Sequence, residues 1–294
     1  MITRGKWLPL YCRGPGLPLV TVQLFTSTAG PIIFSTTIWL DGSMIAALTS
    51  TPLNCVNMGV YCFLIRNPNY CRNLEEYFPE MDAAIQRITK RDSHHYLMVC
   101  GHSTGGLTAS LYAQSGAYKQ SIKKLILNSP FLGFKADALT MNLLRFYGFL
   151  GGFNYNAVLP RAGSPLYTQT IHASEKGSWD FNFAWRPRTG FPFYQSWVHA
   201  ILNGQTQINQ GSGIQCPVLV LTSDQSYSGE KLNAAAMSSD VVLDVPTIQK
   251  QAIKLGKQIT RVAIPGALHD VFLSPPNARK QAFIAMEKWL NREQ

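Results

Sequence analysis

The residues best suited to chemistry in this chain are a serine, a histidine and a small set of aspartates. Ser103 sits in Gly101-His102-Ser103-Thr104-Gly105-Gly106, a G-x-S-x-G pattern with one further glycine. A serine hydroxyl is a weak nucleophile until a base takes its proton, and that base needs a carboxylate to orient it. His269, in the late segment Gly266-Ala267-Leu268-His269-Asp270, is the natural base. The other histidines fit less well. His94 and His95 precede the serine's segment at its far end, His102 is inside the motif, and His172 and His199 fall in a different region. Three aspartates are placed to serve as the acid: Asp224 follows an apolar run, Asp240 opens Asp-Val-Val-Leu-Asp, and Asp244 closes it. Each of them could instead cap a helix or a turn, the common task of a lone aspartate.

A five-residue motif gains meaning only between a strand and a helix. Tyr96 to Gly101 carries no charge and reads as a buried strand, and Leu107 to Ala113 reads as a helix. Glycines two before and two after the serine leave room for a strained turn, and Gly106 lets the helix start pack tightly. That helix start points backbone N–H groups at the turn, which makes the Thr104 N–H an oxyanion donor.

The remaining elements must bring serine, acid and base together. Leu17 to Phe25, Pro31 to Leu40 and Val56 to Ile65 read as strands, with a short helix from Ser43 to Thr49. Leu74, Tyr77, Met81, Ile85 and Ile88 recur at helical spacing, and Pro79 either kinks that helix or marks its true start. Lys123 to Asn128, Pro217 to Thr222 and Ile259 to Ile264 are further strands. Ile248 to Leu255 and Ala278 to Leu290 are helices, the last with Phe283, Met286, Trp289 and Leu290 inward. Strands alternating with helices predict an α/β fold: a mostly parallel, doubly wound sheet with helices on both faces. Loops at the carboxyl ends of its strands then carry the site, in the order serine, acid, histidine.

The stretch 131–211 has a different character. It holds 16 of the 33 aromatic residues, is punctuated by glycine and proline, and shows helical periodicity mainly over 139–149 and 194–202. It reads as a lid inserted into the core, which divides the chain into a first core part (1–130), the insert (131–211) and a second core part (212–294).

Composition narrows the partners. Only 14% of the 294 residues are charged and 46% are hydrophobic, with a net charge of +10. The bases are scattered singly or in pairs such as Lys123-Lys124, which describes a solvated basic surface. The net charge leaves room for transient contact with an anionic membrane surface or an acidic partner, but no block of bases resembles a nucleic-acid-binding tail. Six cysteines do not make a disulfide scaffold, and Cys55, Cys62 and Cys71 lack metal-ligand spacing, so structural thiols and no metal or cofactor are expected. The first residues lack a signal-peptide core, and no run reaches the length of about 18 apolar residues that spans a bilayer. A cytoplasmic location without a membrane segment is the expectation.

Gly101 to Gly106, the late aspartate and Gly266 to Asp270 together resemble the α/β-hydrolase fold, over roughly residues 70 to 294. Within it they are similar to the serine hydrolases that include lysophospholipases, monoacylglycerol lipases and S33 aminopeptidase-like enzymes. In that group the acid opens a D-x-V-x-D-like run at about the spacing that separates Asp240 from His269, which is 29 residues against 45 for Asp224. The resemblance therefore implies Ser103, Asp240 and His269 as the triad. Asp41-Gly42 stands where such enzymes carry a His-Gly pair, so the resemblance implies that the second oxyanion donor, beside Thr104, comes from Ser43 or a neighbour. The implied activity is hydrolysis of a carboxylic ester through an acyl-enzyme, and the aromatic insert suits an apolar acyl chain such as that of a lysophospholipid or monoacylglycerol. An aminopeptidase-like hydrolase is the alternative, but the insert's only acids are Asp137, Glu175 and Asp180. A non-catalytic binding protein on the same scaffold is the other.

Overall fold

Among the described residues, seven strands make one sheet whose order in space is their order in sequence. They are β1 (Leu24–Ser27), β2 (Gly30–Leu40), β3 (Ser43–Thr49), β4 (Leu97–His102), β5 (Ile122–Asn128), β6 (Val218–Ser223) and β7 (Ile259–Ile264). The structure is a computed structural model that describes residues 24–27, 30–40, 43–49, 70–91, 97–134, 138–159, 164–181, 183 and 187–292. The sequence-predicted strand over 56–65, the first part of that over 17–25, and His94 and His95 lie outside the described residues.

From β4 onward the strands are parallel, whereas β1, β2, β3 and β4 pair antiparallel. β1, β2 and β3 follow one another through two-residue connections, which suit antiparallel pairing, whereas each parallel neighbour from β4 to β7 is reached by a long crossover, so the alternation of strand and helix governs only the second half of the sheet. Ser43–Thr49 is a strand and not the expected helix. Its Met, Ala and Leu side chains favour a helix locally. Ladders to β2 on one side and β4 on the other nonetheless satisfy its backbone groups, and that pairing overrides propensity.

The helical stretch predicted over 74–90 begins as a 3-10 turn at Leu74–Tyr77, continues as α1 (Phe78–Gln86) and ends in a π turn at Arg87–Arg91. Pro79 falls in the first turn of α1, where its missing N–H breaks no hydrogen bond. The other helices are α2 (Thr104–Ser115), α3 (Ala138–Gly151), α4 (Leu166–Ile171), α5 (Gln195–Asn209), α6 (Val245–Ala252) and α7 (Pro276–Arg292). None of the described helices is long and apolar enough to cross a membrane.

Alternation along the central strands builds two cores. Leu97, Val99, Leu125, Leu127, Val218 and Val220 face one side, where Met81, Leu107, Leu111, Ile201 and Ile248 of α1, α2, α5 and α6 cover them. Met98, Cys100, Ile126, Leu219 and Leu221 face the other, against Met286, Trp289 and Leu290 of α7. Each such side chain stabilises the fold by about 1.5–3 kcal/mol when fully buried. These two layers fix the carboxyl ends of β4 to β7, from which the candidate site rises.

Candidate active site

Ser103 follows β4 directly and occupies a backbone conformation that side chains avoid, with φ 54° and ψ −122°. Such strain persists only when its surroundings over-determine it. Here the Ser103 N–H donates to the Asn128 carbonyl at 3.0 Å, and the Ser103 carbonyl accepts from the amides of Gly106, Leu107 and Phe131. Close approach of backbone explains the glycines. A Cβ on Gly101 would lie 2.6 Å from the Gly105 carbonyl oxygen, and one on Gly106 would lie 2.8 Å from Pro130 Cβ. The crowded pair is thus Gly101 and Gly106, with Gly105 supplying the wall. Thr104 opens α2, and like all first-turn amides its N–H has no acceptor within the helix. Because β3 runs against β4, with Ile45 opposite Gly101, Ser43 begins its strand at the end of the sheet where Ser103 emerges.

The structure brings Ser103, His269 and Asp240 together from three distant places in the chain. His269 Nε2 lies 3.0 Å from Ser103 Oγ, and His269 Nδ1 lies 2.8 Å from Asp240 Oδ2. Asp240 is fully buried and His269 is 1% exposed. The second carboxylate oxygen of Asp240 accepts the N–H groups of Val242 and Leu243, both at 2.8 Å. An ionised carboxylate can only accept, so Nδ1 of His269 carries the proton and Nε2 presents its lone pair to the serine hydroxyl. The arrangement can draw a proton off Ser103 without moving a heavy atom far.

The other two aspartates have different tasks. Asp224 is exposed, and its Oδ1 accepts the Gly266 N–H at 3.1 Å, holding a glycine with φ 68°. Asp244 caps α6, accepting from the amide and the hydroxyl of Thr247. His199 ties α3 to α5 by donating from Nδ1 to the Gly148 carbonyl, and His172 bonds within its own loop. Cys100, beneath the turn in β4, has its thiol pushed up to about 12 by burial and, second, by the Asp270 charge. It therefore stays protonated and takes no part in the chemistry.

Four residues join the site that sequence reasoning did not assign to it. His102 is buried; its Nδ1 donates to the Asn128 carbonyl at 3.0 Å and its Nε2 meets the Tyr167 hydroxyl at 3.1 Å. Asn128 donates from Nδ2 to Asp270 at 2.7 Å and accepts the Val271 N–H, which fixes the loop that carries His269. Only the position of Asn128 and Asp270 at the ends of their segments hinted at this. Tyr167 was one aromatic among 16 in the insert.

A nucleophile turn between β4 and α2, parallel strands beyond it and helices on both faces define the α/β-hydrolase fold. The family model described as serine aminopeptidase, S33, matches residues 66–275, and the chain belongs to that family of hydrolases. Among solved structures, the monoacylglycerol lipase of Paleococcus ferrophilus is 18% identical, with a TM-score of 0.55 over 76% of this chain and 76% of its own. A soluble variant of the monoglyceride lipase of Saccharomyces cerevisiae, in complex with a substrate analog, is 13% identical with a TM-score of 0.56 over 88% and 95%. None of the curated proteins matches the sequence. At these identities the likeness is one of fold.

Proposed function

We propose that this hydrolase cleaves carboxylic esters with an apolar acyl chain, such as a lysophospholipid or monoacylglycerol, through an acyl-enzyme on Ser103. The observation that carries this reading is the hydrogen-bonded series Ser103–His269–Asp240, with both partners of the serine buried. Ser103 Oγ attacks the ester carbonyl carbon while its proton passes to His269 Nε2. The oxyanion formed accepts from the Thr104 N–H and from a donor at Ser43, and Asp240 balances the imidazolium. His269 then protonates the departing alkoxide. Water repeats the sequence on the acyl-serine and releases the acid.

The stretch 131–211 is a lid in this reading, and its outermost part is α3. Leu139, Leu143, Phe146 and Phe149 of α3, and Phe153 just beyond it, are all more than half exposed, and no acidic residue stands among them. That apolar face suits transient contact with a membrane, where acyl substrates reside. The family's description favours a peptidase as the second reading. Against it, Glu175 pairs with Arg188 and Asp180 is exposed, so neither offers a buried carboxylate for a substrate amine.

The test compares p-nitrophenyl esters of increasing acyl length with aminoacyl anilides, alongside labelling by a fluorophosphonate. Labelling that is lost in Ser103→Ala, with turnover rising from acetyl to longer esters, is expected. Anilides cleaved faster than esters would establish the peptidase, and an unlabelled wild-type protein would remove the enzyme.

A further inference from the structure

Ser103 and Asp240 grip His269 through its two ring nitrogens. Two such bonds fix the imidazole along one line but leave it free to tilt about that line. Two neighbouring rings remove the freedom. The His102 ring lies 4.7 Å away at 55°, and the Tyr167 ring lies 5.2 Å away at 81°, edge against face. Tyr167 is in turn locked by its hydroxyl, which meets His102 Nε2 at 3.1 Å.

The direction of that last bond follows from His102. A carbonyl only accepts, so His102 Nδ1 carries the proton that it gives to Asn128 O. In the neutral ring Nε2 is then an acceptor, and the Tyr167 hydroxyl donates to it. Asp270 Oδ2 stands 4.0 Å from the same nitrogen, a charge that invites a second proton. Among the described residues the other titratable groups here are His269 itself and Cys100, whose thiol stays protonated. A cationic His102 would oppose the positive charge that His269 must take up as a base. Donation from the Tyr167 hydroxyl to Nε2 favours the neutral form of His102 over the cation.

Tyr167 is also held at a distance suited to the task. It belongs to α4, and further along the same segment the Trp179 Nε1–H donates to the Leu273 carbonyl at 2.8 Å, four residues beyond His269. The Arg279 guanidinium covers the Trp179 ring at 5.0 Å. The segment is thus tied both to the turn that carries the serine and to the loop that carries the base.

We propose that Tyr167 is a positioning residue for His269, setting the tilt of its ring and holding His102 in the neutral form. The proposal rests on the serine-hydrolase reading of Ser103 and His269. Tyr167→Phe keeps the ring and removes the hydroxyl; Tyr167→Leu removes both. With a water-soluble ester, Tyr167→Phe should lose roughly 10–100-fold in kcat with KM little changed. The acid limb of its kcat profile should move to higher pH, because the vacated Nε2 now takes a proton. A second readout needs no turnover: the low-field NMR signal of the His269 Nδ1 proton, followed in Ser103→Ala with and without Tyr167→Leu, should shift and broaden when the ring is removed. Should Tyr167→Leu unfold, the same signal is read in Ser103→Ala with Tyr167→Phe. A kcat profile that superposes on the wild type, a loss confined to KM, or an unmoved Nδ1 proton each overturns the proposal. Failure of a fluorophosphonate to label the wild type rejects the hydrolase reading instead, and leaves the NMR signal to decide the role of Tyr167.

Discussion

Replacing Asp240 by asparagine tests the acid, and the structure sets the size of the effect. The carboxylate accepts three hydrogen bonds: two on Oδ1 from Val242 and Leu243 and one on Oδ2 from His269. An amide has a single oxygen. If that oxygen stays on the two backbone amides, the NH2 group faces the His269 Nδ1–H, donor against donor. The imidazole relieves this by moving its proton to Nε2, where it points at Ser103 Oγ and cannot accept. The active tautomer survives only if the amide turns over, which strands the buried Leu243 N–H and the part-buried Val242 N–H at up to about 1–3 kcal/mol each. That penalty of roughly 2–6 kcal/mol brackets the 10³–10⁴-fold loss of kcat typical of this substitution in serine enzymes, which is about 4–5.5 kcal/mol. We expect that loss for Asp240→Asn, measured as kcat on a p-nitrophenyl ester with melting curves to exclude unfolding. Asp224→Asn should stay within about tenfold, since its amide oxygen can still accept the Gly266 N–H. Full turnover by Asp240→Asn together with a dead Asp224→Asn would refute the reasoning.

Two further outcomes follow from the packing. Gly101→Ala places a methyl group against the Gly105 carbonyl and should destabilise the protein by roughly 1–3 kcal/mol, visible as a drop of several degrees in Tm by calorimetry. Leu143→Glu with Phe146→Glu on α3 should abolish co-sedimentation with anionic phospholipid vesicles while leaving turnover of a water-soluble short ester intact; unchanged sedimentation would detach α3 from the membrane.

The nucleophile turn was legible because its physics is local. An apolar run, two glycines and a following helix all lie within a few residues of Ser103, and each is demanded by the same tight bend. Asp240 could not be told from Asp224 and Asp244 on local grounds, since all three are turn or cap aspartates by type. What separates them is the direction in which a loop folds back, and only the resemblance to a family carried that information. The strand at Ser43–Thr49 was hidden because its composition suits a helix, and its partner β4 lies some 50 residues away. α4 was hidden for a different reason: six residues containing two threonines and an isoleucine make too little periodicity to detect. Tyr167 could not be seen at all, since its hydroxyl meets a partner 65 positions earlier in the chain.

A sheet whose spatial order repeats its sequence order has a consequence for how the protein comes into being. Each strand can dock on the one made just before it as the chain leaves the ribosome, so the scaffold grows from one edge in the order of synthesis. The chemistry cannot follow that schedule. The nucleophile and its base are 166 residues apart, an interval of about 8–33 s at ordinary rates of synthesis. Throughout that time the nascent chain carries a bent, exposed serine that nothing activates, and it becomes reactive only when the last loop closes over a scaffold already built.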